Sequence, residues 1–473
     1  MSISQILILA AVAVIIGFLP RGRTLVLAGA STFILFWLAQ PDTVLPSLPF
    51  WLQIFTVFIV ILVWWITASP EKRRLRDQWP ALVVLAGVIL LATLVNRLPV
   101  ERVLLISTVN PVIVLGAFLV FGVLLFILNG TARFNRVWAA LGLLILLFVF
   151  LIIKSPALTA QLVDLLSSLR GRDITPDASL TLVWLGYSYL AFRLLHVLRD
   201  WQTGLLPAVN LDEFICYALF FPSFISGPID RVERFTKDLR TPSRLTNEDW
   251  LFAGQRLAVG LFKKFVLADW LAWLSLSDAH VGQARSGAWL WLFVYAYAFR
   301  IYFDFSGYTD IAIGLGRLIG IRLPENFAAP YLKSNLTQFW NSWHMTLTQW
   351  FRSYFFNPLT RYLRTRQRPV PAWFILLLTQ FATMSLIGLW HGITWNFLLW
   401  GAWHALGLFL QNRWSEWMRI RFPDGGAASR ARPALAFVGT VLTFHYVALG
   451  WVFFAISTPQ LSAAVLMKLF GMS

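Results

Sequence analysis

Residues 137–153 read VWAALGLLILLFVFLII, seventeen residues without a charge, with Arg136 before them and Lys154 after. At 1.5 Å per residue this run is about 26 Å long as an α-helix, close to the ~30 Å hydrocarbon core of a bilayer. Comparable apolar runs fall at 4–20, 24–40, 49–68, 79–96, 103–129 and 179–198. A second group lies at 250–275, 287–303, 371–390, 395–411 and 434–456, with a short apolar tail at 460–470. The runs are continuous and not alternating in polarity, so they read as helices and not as strands of a barrel. The chain is therefore expected to be an all-α polytopic membrane protein, with roughly 11–13 transmembrane helices plus re-entrant or interfacial segments.

Composition excludes the alternatives. Of 473 residues, 58% are hydrophobic and 13% charged, about half the ~25% charge of a soluble protein. A string of water-soluble domains would lack polar surface, and so apolar a chain is not disordered. One cysteine, Cys216, leaves no disulfide framework. Lys and Arg exceed Asp and Glu by 39 to 22, a formal charge of +17. The basic residues sit between apolar runs and form no stripe, so they are read as topology signals and no nucleic-acid partner is expected. Arg21/Arg23, the run from Glu71 to Arg76, and Arg133/Arg136 follow the first, third and fifth runs, whereas 41–48 has no Lys or Arg. This places the N-terminus outside and those loops in the cytoplasm, with Arg199, Arg231–Arg244, Arg361–Arg368 and Arg413–Arg432 as later cytoplasmic candidates. The first run has the length of a signal peptide but no charged segment before it, and is expected to be a retained helix.

Two stretches break the pattern. Residues 211–248 pass through Phe220-Phe221-Pro222-Ser223-Phe224-Ile225-Ser226-Gly227-Pro228. Residues 302–360 mix Asp304, Asp310, Arg317, Glu325, Asn326, Lys333, Gln338, Asn341 and His344 with many aromatics. Non-spanning polar backbone of this kind is tolerated where it lines a cavity or lies in the interface. The organisation expected is therefore N-terminal membrane helices over 1–200, a core with re-entrant segments over 201–411, and C-terminal helices over 412–473.

The chemistry centres on histidine. Of six, His280 lies in a short polar loop, and His196 and His445 read as structural. His391, in Gly388-Leu389-Trp390-His391-Gly392, ends an apolar run among aromatics, where burial favours the neutral imidazole that a general base needs. His344, in Trp340-Asn341-Ser342-Trp343-His344, lies on what reads as one shallow amphipathic helix from 334 to 352. An ionisable side chain in such surroundings is by default a functional hypothesis. No HExxH or CxxC metal motif is present, nor a GxxxxGK[ST] loop, nor a GxSxG elbow. No metal is expected.

Tyr302-Phe303-Asp304-Phe305-Ser306-Gly307-Tyr308-Thr309-Asp310, Pro324-Glu325-Asn326-Phe327, Trp343-His344, Leu389-Trp390-His391-Gly392 and Ser226-Gly227-Pro228-Ile229 occur in one order over roughly 180–455. Together they resemble the signature of the membrane-bound O-acyltransferase (MBOAT) family, and within it the bacterial branch that modifies alginate and teichoic acid. The first 180 residues contribute only hydropathy. The resemblance implies an O-acyltransferase of the bacterial cell inner membrane, with His391 as the catalytic histidine and His344 as its upstream partner. It implies an acyl thioester donor, acetyl-CoA or an acyl carrier protein, and no permanently bound cofactor. The implied acceptor is a hydroxyl, first that of an exported polysaccharide, then teichoic acid (as D-alanyl transfer), peptidoglycan or a lipid, with an extracytoplasmic acyltransferase partner. Asp304, Asp310, Asn341, Trp390 and Asn396 are the expected supporting or substrate-contacting residues. Bacterial members usually carry two arginines where this chain has Asn341 and Ser342. The rival readings are a transporter or flippase of a polar glycan or lipid, which commonly shows two similar halves, and a lipid-phosphate glycosyltransferase, which would want acidic residues where 41–48 offers only Asp42.

Overall fold

The computed structural model describes residues 1–42, 45–95, 104, 106–107, 109–130, 135–168, 183–241, 245–422 and 432–472. Arg133, Arg244, the start of the 103–129 run and of the 179–198 run, and the end of the 413–432 basic stretch lie outside them. Every element among the described residues is helical. The protein is an all-α, multi-pass membrane protein.

Six helices among the described residues are long and apolar enough to cross a bilayer: Leu48–Thr67, Arg76–Val95, Pro111–Asn129, Asn135–Lys154, Ala372–His391 and Pro433–Ala455. Three apolar helices are shorter: Ile3–Phe18, Arg23–Trp37 and Pro156–Leu166. Other apolar runs take different forms. The run at 250–275 is split by a π-helical turn, and those at 287–303 and 395–411 become the starts of helices that continue to Ile319 and Arg421.

The chain forms two compact units, residues 1–257 with 311–323, and residues 258–310 with 324–473. The first holds α1 (Ile3–Phe18), α2 (Arg23–Trp37), α3 (Leu48–Thr67), α4 (Leu75–Val95), α5 (Pro111–Gly130), α6 (Asn135–Lys154) and α7 (Pro156–Ser168). It continues through α8 (Tyr187–Gln202), α9 (Leu211–Ala218), α10 (Val232–Arg240) and the start of α11 (Asn247–Phe262). The broken 219–228 stretch is held by Arg193 of α8. Its guanidinium, 1% exposed, donates to the carbonyls of Ala218 (2.9 Å) and Ser223 (2.8 Å) and to the Ser223 hydroxyl (2.6 Å). Three charge-assisted bonds replace the helical ladder the prolines and Gly227 interrupt. Neighbouring His196 is buried, with Nδ1 3.2 Å from the Tyr217 hydroxyl, a structural contact. Arg23, grouped above with the loop charges, is instead buried at the start of α2 beside Gly320. A loop in the sequence can still pack inside when a glycine backbone makes room for it.

At the start of α9, Glu213 accepts from the Asn210 N–H (2.9 Å) and forms a two-pronged pair with Arg240 of α10 (2.6 and 2.7 Å). Burial alone would raise this carboxyl. The Arg240 guanidinium, the Asn210 N–H and Lys72 outweigh burial and hold it below its ordinary value.

The second unit contains the rest of α11, the π-helical turn Lys263–Ala268, α12 (Asp269–Ala272), α13 (Asp278–Gln283) and α14 (Gly287–Ile319) as far as Asp310. After a 3₁₀ turn at Pro330–Leu332 come α15 (Leu336–Trp340), α16 (Met345–Phe351), a π-helical turn at Arg352–Phe356 and α17 (Asn357–Arg364). The helices α18 (Ala372–His391), α19 (Trp395–Arg421), α20 (Arg432–Ala455) and α21 (Pro459–Leu469) complete it. α18 and α19 are a tight hairpin joined by 392–394. A Cβ on Gly388 would lie 2.1 Å from the Phe397 carbonyl oxygen, and one on Gly401 2.5 Å from that of Met384. Small residues at a membrane helix crossing let two backbones touch, and here the crossing fixes His391 at the C-terminus of α18.

Two predictions follow from these contacts. Gly388→Ala sets a methyl against a carbonyl that cannot rotate away, and should cost about 1–3 kcal/mol, as overpacking does, read as a lower unfolding midpoint in detergent; an unchanged midpoint would show that the helices part freely. Because the folded Glu213 carboxyl sits below its unfolded value of about 4.3, its stabilisation is present above that pH and is lost as the pH falls through the folded value. The unfolding midpoint of Glu213→Gln should therefore fall less between about pH 5 and about pH 3 than that of the wild type, and equal slopes would contradict this.

Candidate active site

The site grows from a helix that does not continue. The pattern Leu336, Phe339, Trp340, Trp343, Leu347 suggests one helix over 334–352, but α15 ends at Trp340 and α16 begins at Met345. Between them His344 has φ 42° and ψ 54°, a left-handed conformation shared among non-glycine described residues only with Ala329. Such a conformation costs on the order of 1–3 kcal/mol and persists where surrounding structure over-determines it.

The over-determination comes from Asn326, which is fully buried. Its carbonyl accepts from the Met345 N–H (2.9 Å), and its side-chain oxygen accepts from the Thr346 hydroxyl (2.6 Å). The Ala328 N–H donates to the Ser342 carbonyl (3.0 Å), closing the loop onto the break from the other side. Phe327 then packs edge-on against both Phe305 and Trp343, ring centroids 5.1 Å apart in each case. The Pro-Glu-Asn-Phe stretch was thus informative in the sequence, yet Asn326 was not among the expected site residues. Its signal was an uncharged amide between a proline and a phenylalanine in an otherwise irregular stretch.

His344 is 3% exposed, with the Phe305 ring 4.6 Å away and edge-on. His391 is less enclosed and is ringed by Trp390 (4.4 Å), Phe454 (4.7 Å), Trp400 (5.6 Å) and Phe397 (5.8 Å). Trp390 touches both imidazoles, with its ring 6.0 Å from that of His344. One indole therefore joins the two histidines. His404, on α19, is fully buried against Trp400 (4.9 Å) and Trp340 (5.2 Å), and neither of its ring nitrogens has a hydrogen-bond partner.

The remaining expected residues separate into different tasks. Asp310, buried, pairs with Lys263 (2.7 Å), and the largely exposed carboxylate of Asp304 pairs with Lys264. Both lysines come from the π-helical turn at Lys263–Ala268, a local widening often found at functional sites. Sequence spacing gave no hint of them, since they lie 47 and 40 residues from their partners. Asn341 is exposed and accepts from Arg352 Nη2 (2.6 Å). The amide nitrogen of Asn396 donates to the Ile456 carbonyl and to the Ser462 hydroxyl, tying α19 to α21, and its Oδ1 is buried without a hydrogen-bond partner.

A cavity of about 260 Å³ opens among α15, α16, α18 and α19. Its lining includes Trp340, Asn341, Arg352, Gln380 and Thr383, and on α18 extends to Ile387, one helical turn before His391. Gln380 Oε1 and Trp340 Nε1 are buried there without hydrogen-bond partners, an acceptor and a donor both left for an occupant. Among the described residues no group of three His, Cys, Asp or Glu is placed to hold a metal.

The model of the membrane-bound O-acyltransferase family matches residues 137–448, a span that includes Asn326 and both histidines. The chain is 32% identical over 246 residues to the teichoic acid D-alanyltransferase of Streptococcus thermophilus, covering 49% of this chain and 57% of that protein. It is 35% identical over 280 residues to the probable alginate O-acetylase AlgI of Azotobacter vinelandii, covering 57% and 50%. It is 31% identical over 274 residues to the peptidoglycan O-acetyltransferase of Helicobacter pylori, covering 56% and 48%. The chain thus spans about half the length of these curated relatives. With the family match running over most of the chain and through the whole histidine site, the protein belongs to the membrane-bound O-acyltransferase family.

Proposed function

We propose that this protein transfers an acyl group, acetyl in the first instance, from a thioester donor to a hydroxyl of an exported polysaccharide. The observation that carries the reading is the pair His344 and His391, both in ring contact with Trp390 in an aromatic enclosure, with His344 fixed in a left-handed turn. A hydroxyl is a poor nucleophile at neutral pH and needs a positioned base. His391 takes the hydroxyl proton as the oxygen attacks the thioester carbonyl. The tetrahedral intermediate then collapses, the carbon–sulfur bond breaks, and the departing thiolate takes the proton from the imidazolium. His344 orients the acyl carbonyl and donates to the oxygen on which charge develops.

The cavity beside α18 suits the donor. Its lining runs on α18 to Ile387, one turn before His391, and the exposed basic residues Arg361, Arg364, Arg366 and Arg368, which precede α18 in the chain, suit an acidic donor such as coenzyme A or a carrier protein. On the distribution of basic residues, that end faces the cytoplasm and the N-terminus lies outside. The relatives named for alginate, peptidoglycan and teichoic acid favour a cell-envelope glycan as acceptor. The proposed site of action is a bacterial inner membrane, with an extracytoplasmic partner completing the transfer.

The test is single-turnover transfer from labelled acetyl-CoA, and from an acetylated carrier protein, into isolated envelope polysaccharide by the purified protein. His391→Ala should lower the transfer rate by about 10²–10⁴-fold, the usual worth of a general base, with normal membrane insertion; equal rates would remove His391 as base and favour a transport role. Asn326→Ala leaves both imidazoles in place but releases the turn under His344. It should lower the rate by up to ~10²-fold, the scale of a misplacement near 1 Å, and an unchanged rate in a correctly folded variant would detach the turn from the chemistry.

A further inference from the structure

The first unit has a pocket of about 380 Å³ that the acyl-transfer reading does not use. That volume lies within the ~300–1,000 Å³ of small-ligand sites. It forms where α3 ends, α6 begins and α8 ends, with the Leu206–Val209 segment across it. Its walls are fixed: Trp64 Nε1 donates to the Val209 carbonyl (3.0 Å) and Asn135 Nδ2 to the Ile66 carbonyl (3.2 Å). Both α3 and α6 are long and apolar enough to cross the bilayer, and Thr67 and Asn135 are the ends at which they leave it. The pocket is therefore at headgroup depth.

Arg73 lies in this pocket, partly buried. Its Nε donates to the Ala68 carbonyl (3.0 Å) and its Nη2 to the Ile66 carbonyl (3.1 Å), which caps the last turn of α3. Those bonds use one side of the guanidinium fork. The Nη1 edge makes no hydrogen bond, and no carboxylate among the described residues pairs with Arg73. The acidic residues Asp212 and Glu213 on α9 interact with Lys72, and Glu213 is neutralised by Arg240. A guanidinium drawn out of water without a counter-charge is costly, and an anion repays that cost. The indoles of Trp64 and Trp201 add the amphipathic rings that suit the membrane interface.

We infer that this pocket binds the phosphodiester headgroup of an anionic glycerophospholipid, with Arg73 meeting the phosphate and the indoles flanking the glycerol. Basic pockets between membrane helices at this depth suit such headgroups.

The experiment is native mass spectrometry of the full chain, delipidated in detergent and offered phosphatidylglycerol or phosphatidylcholine. Wild type should retain phosphatidylglycerol selectively. Arg73→Gln should lose on the order of tenfold in occupancy, the worth of one charge-assisted hydrogen bond, while Arg421→Gln, an exposed arginine elsewhere, should not. Because Arg73 also caps α3, Leu206→Trp provides a second arm that fills the pocket, leaves the guanidinium in place and should release the lipid as well. Glycerol 3-phosphate at millimolar concentration should leave the adduct intact. Equal retention of phosphatidylcholine, unchanged binding in both pocket variants, or displacement by glycerol 3-phosphate would each overturn the inference, the last by making the ligand a soluble phosphate.

Discussion

The carboxamide and carbonyl of Asn326 hold together the one stretch of backbone that a membrane protein can least easily leave unpaired. Where a helix breaks at membrane depth, water cannot satisfy the freed N–H and C=O groups, and each one left bare costs several kcal/mol. Between α15 and α16 these groups are matched inside the protein: Met345 and Thr346 to Asn326, and Ala328 to Ser342. The left-handed cost at His344 is of order 1–3 kcal/mol, and a single unsatisfied buried amide costs about as much. Any rearrangement that relaxed His344 into a helix would break more than one of these bonds. The imidazole is thus placed by hydrogen bonds to a residue far from it in the chain, Asn326.

Around that turn the aromatic residues serve as walls. Phe305, Phe327, Trp343 and Trp390 meet edge-on or tilted, the arrangement aromatic pairs prefer. They exclude water without offering a competing proton acceptor. The carboxylates of this unit that the sequence singles out are held elsewhere: Asp310 by Lys263, Asp304 by Lys264. Each acid is thus neutralised locally by a lysine of the π-helical turn.

What the sequence conveyed depends on whether the cause was local. Apolar runs and the Gly-Leu-Trp-His-Gly end of α18 are local, and α3, α6, α18 and α20 lie close to where hydropathy put them, whereas α5 begins only at Pro111 within the 103–129 run. The break at 341–344 was not legible, because Leu336, Phe339, Trp340, Trp343 and Leu347 keep a helical period across it and the clamp that interrupts it lies near 326. Arg23 and Arg193 show the same limit from another direction. Arg23 counts as a positive residue between apolar runs and Arg193 falls inside the 179–198 run, yet both are buried, since neither a charge count nor hydropathy can see a glycine backbone or a carbonyl cluster waiting to receive a guanidinium. Asn396 lay near His391 in sequence, and its bonds run instead to Ile456 and Ser462, 60 and 66 residues on.

The departure at 341–342 from the usual bacterial pattern has a structural consequence. Ser342 is buried with its carbonyl engaged by Ala328, a position where a guanidinium would need a partner to replace water. Asn341 is exposed and receives Arg352, which brings a guanidinium to the cavity wall from 11 residues further along the chain. The wall therefore presents Arg352 beside the neutral groups Gln380, Thr383 and Trp340. On the proposed reading, a wall of amide, hydroxyl and indole suits the uncharged, amide-bearing arm of a thioester. Phosphates would then be met outside the cavity by the exposed arginines between 361 and 368. Recognition of the donor's charge and passage of its acyl arm would in that case be divided between two places: a solvated basic segment, where salt screens the attraction, and a cavity, where hydrogen bonds decide the fit.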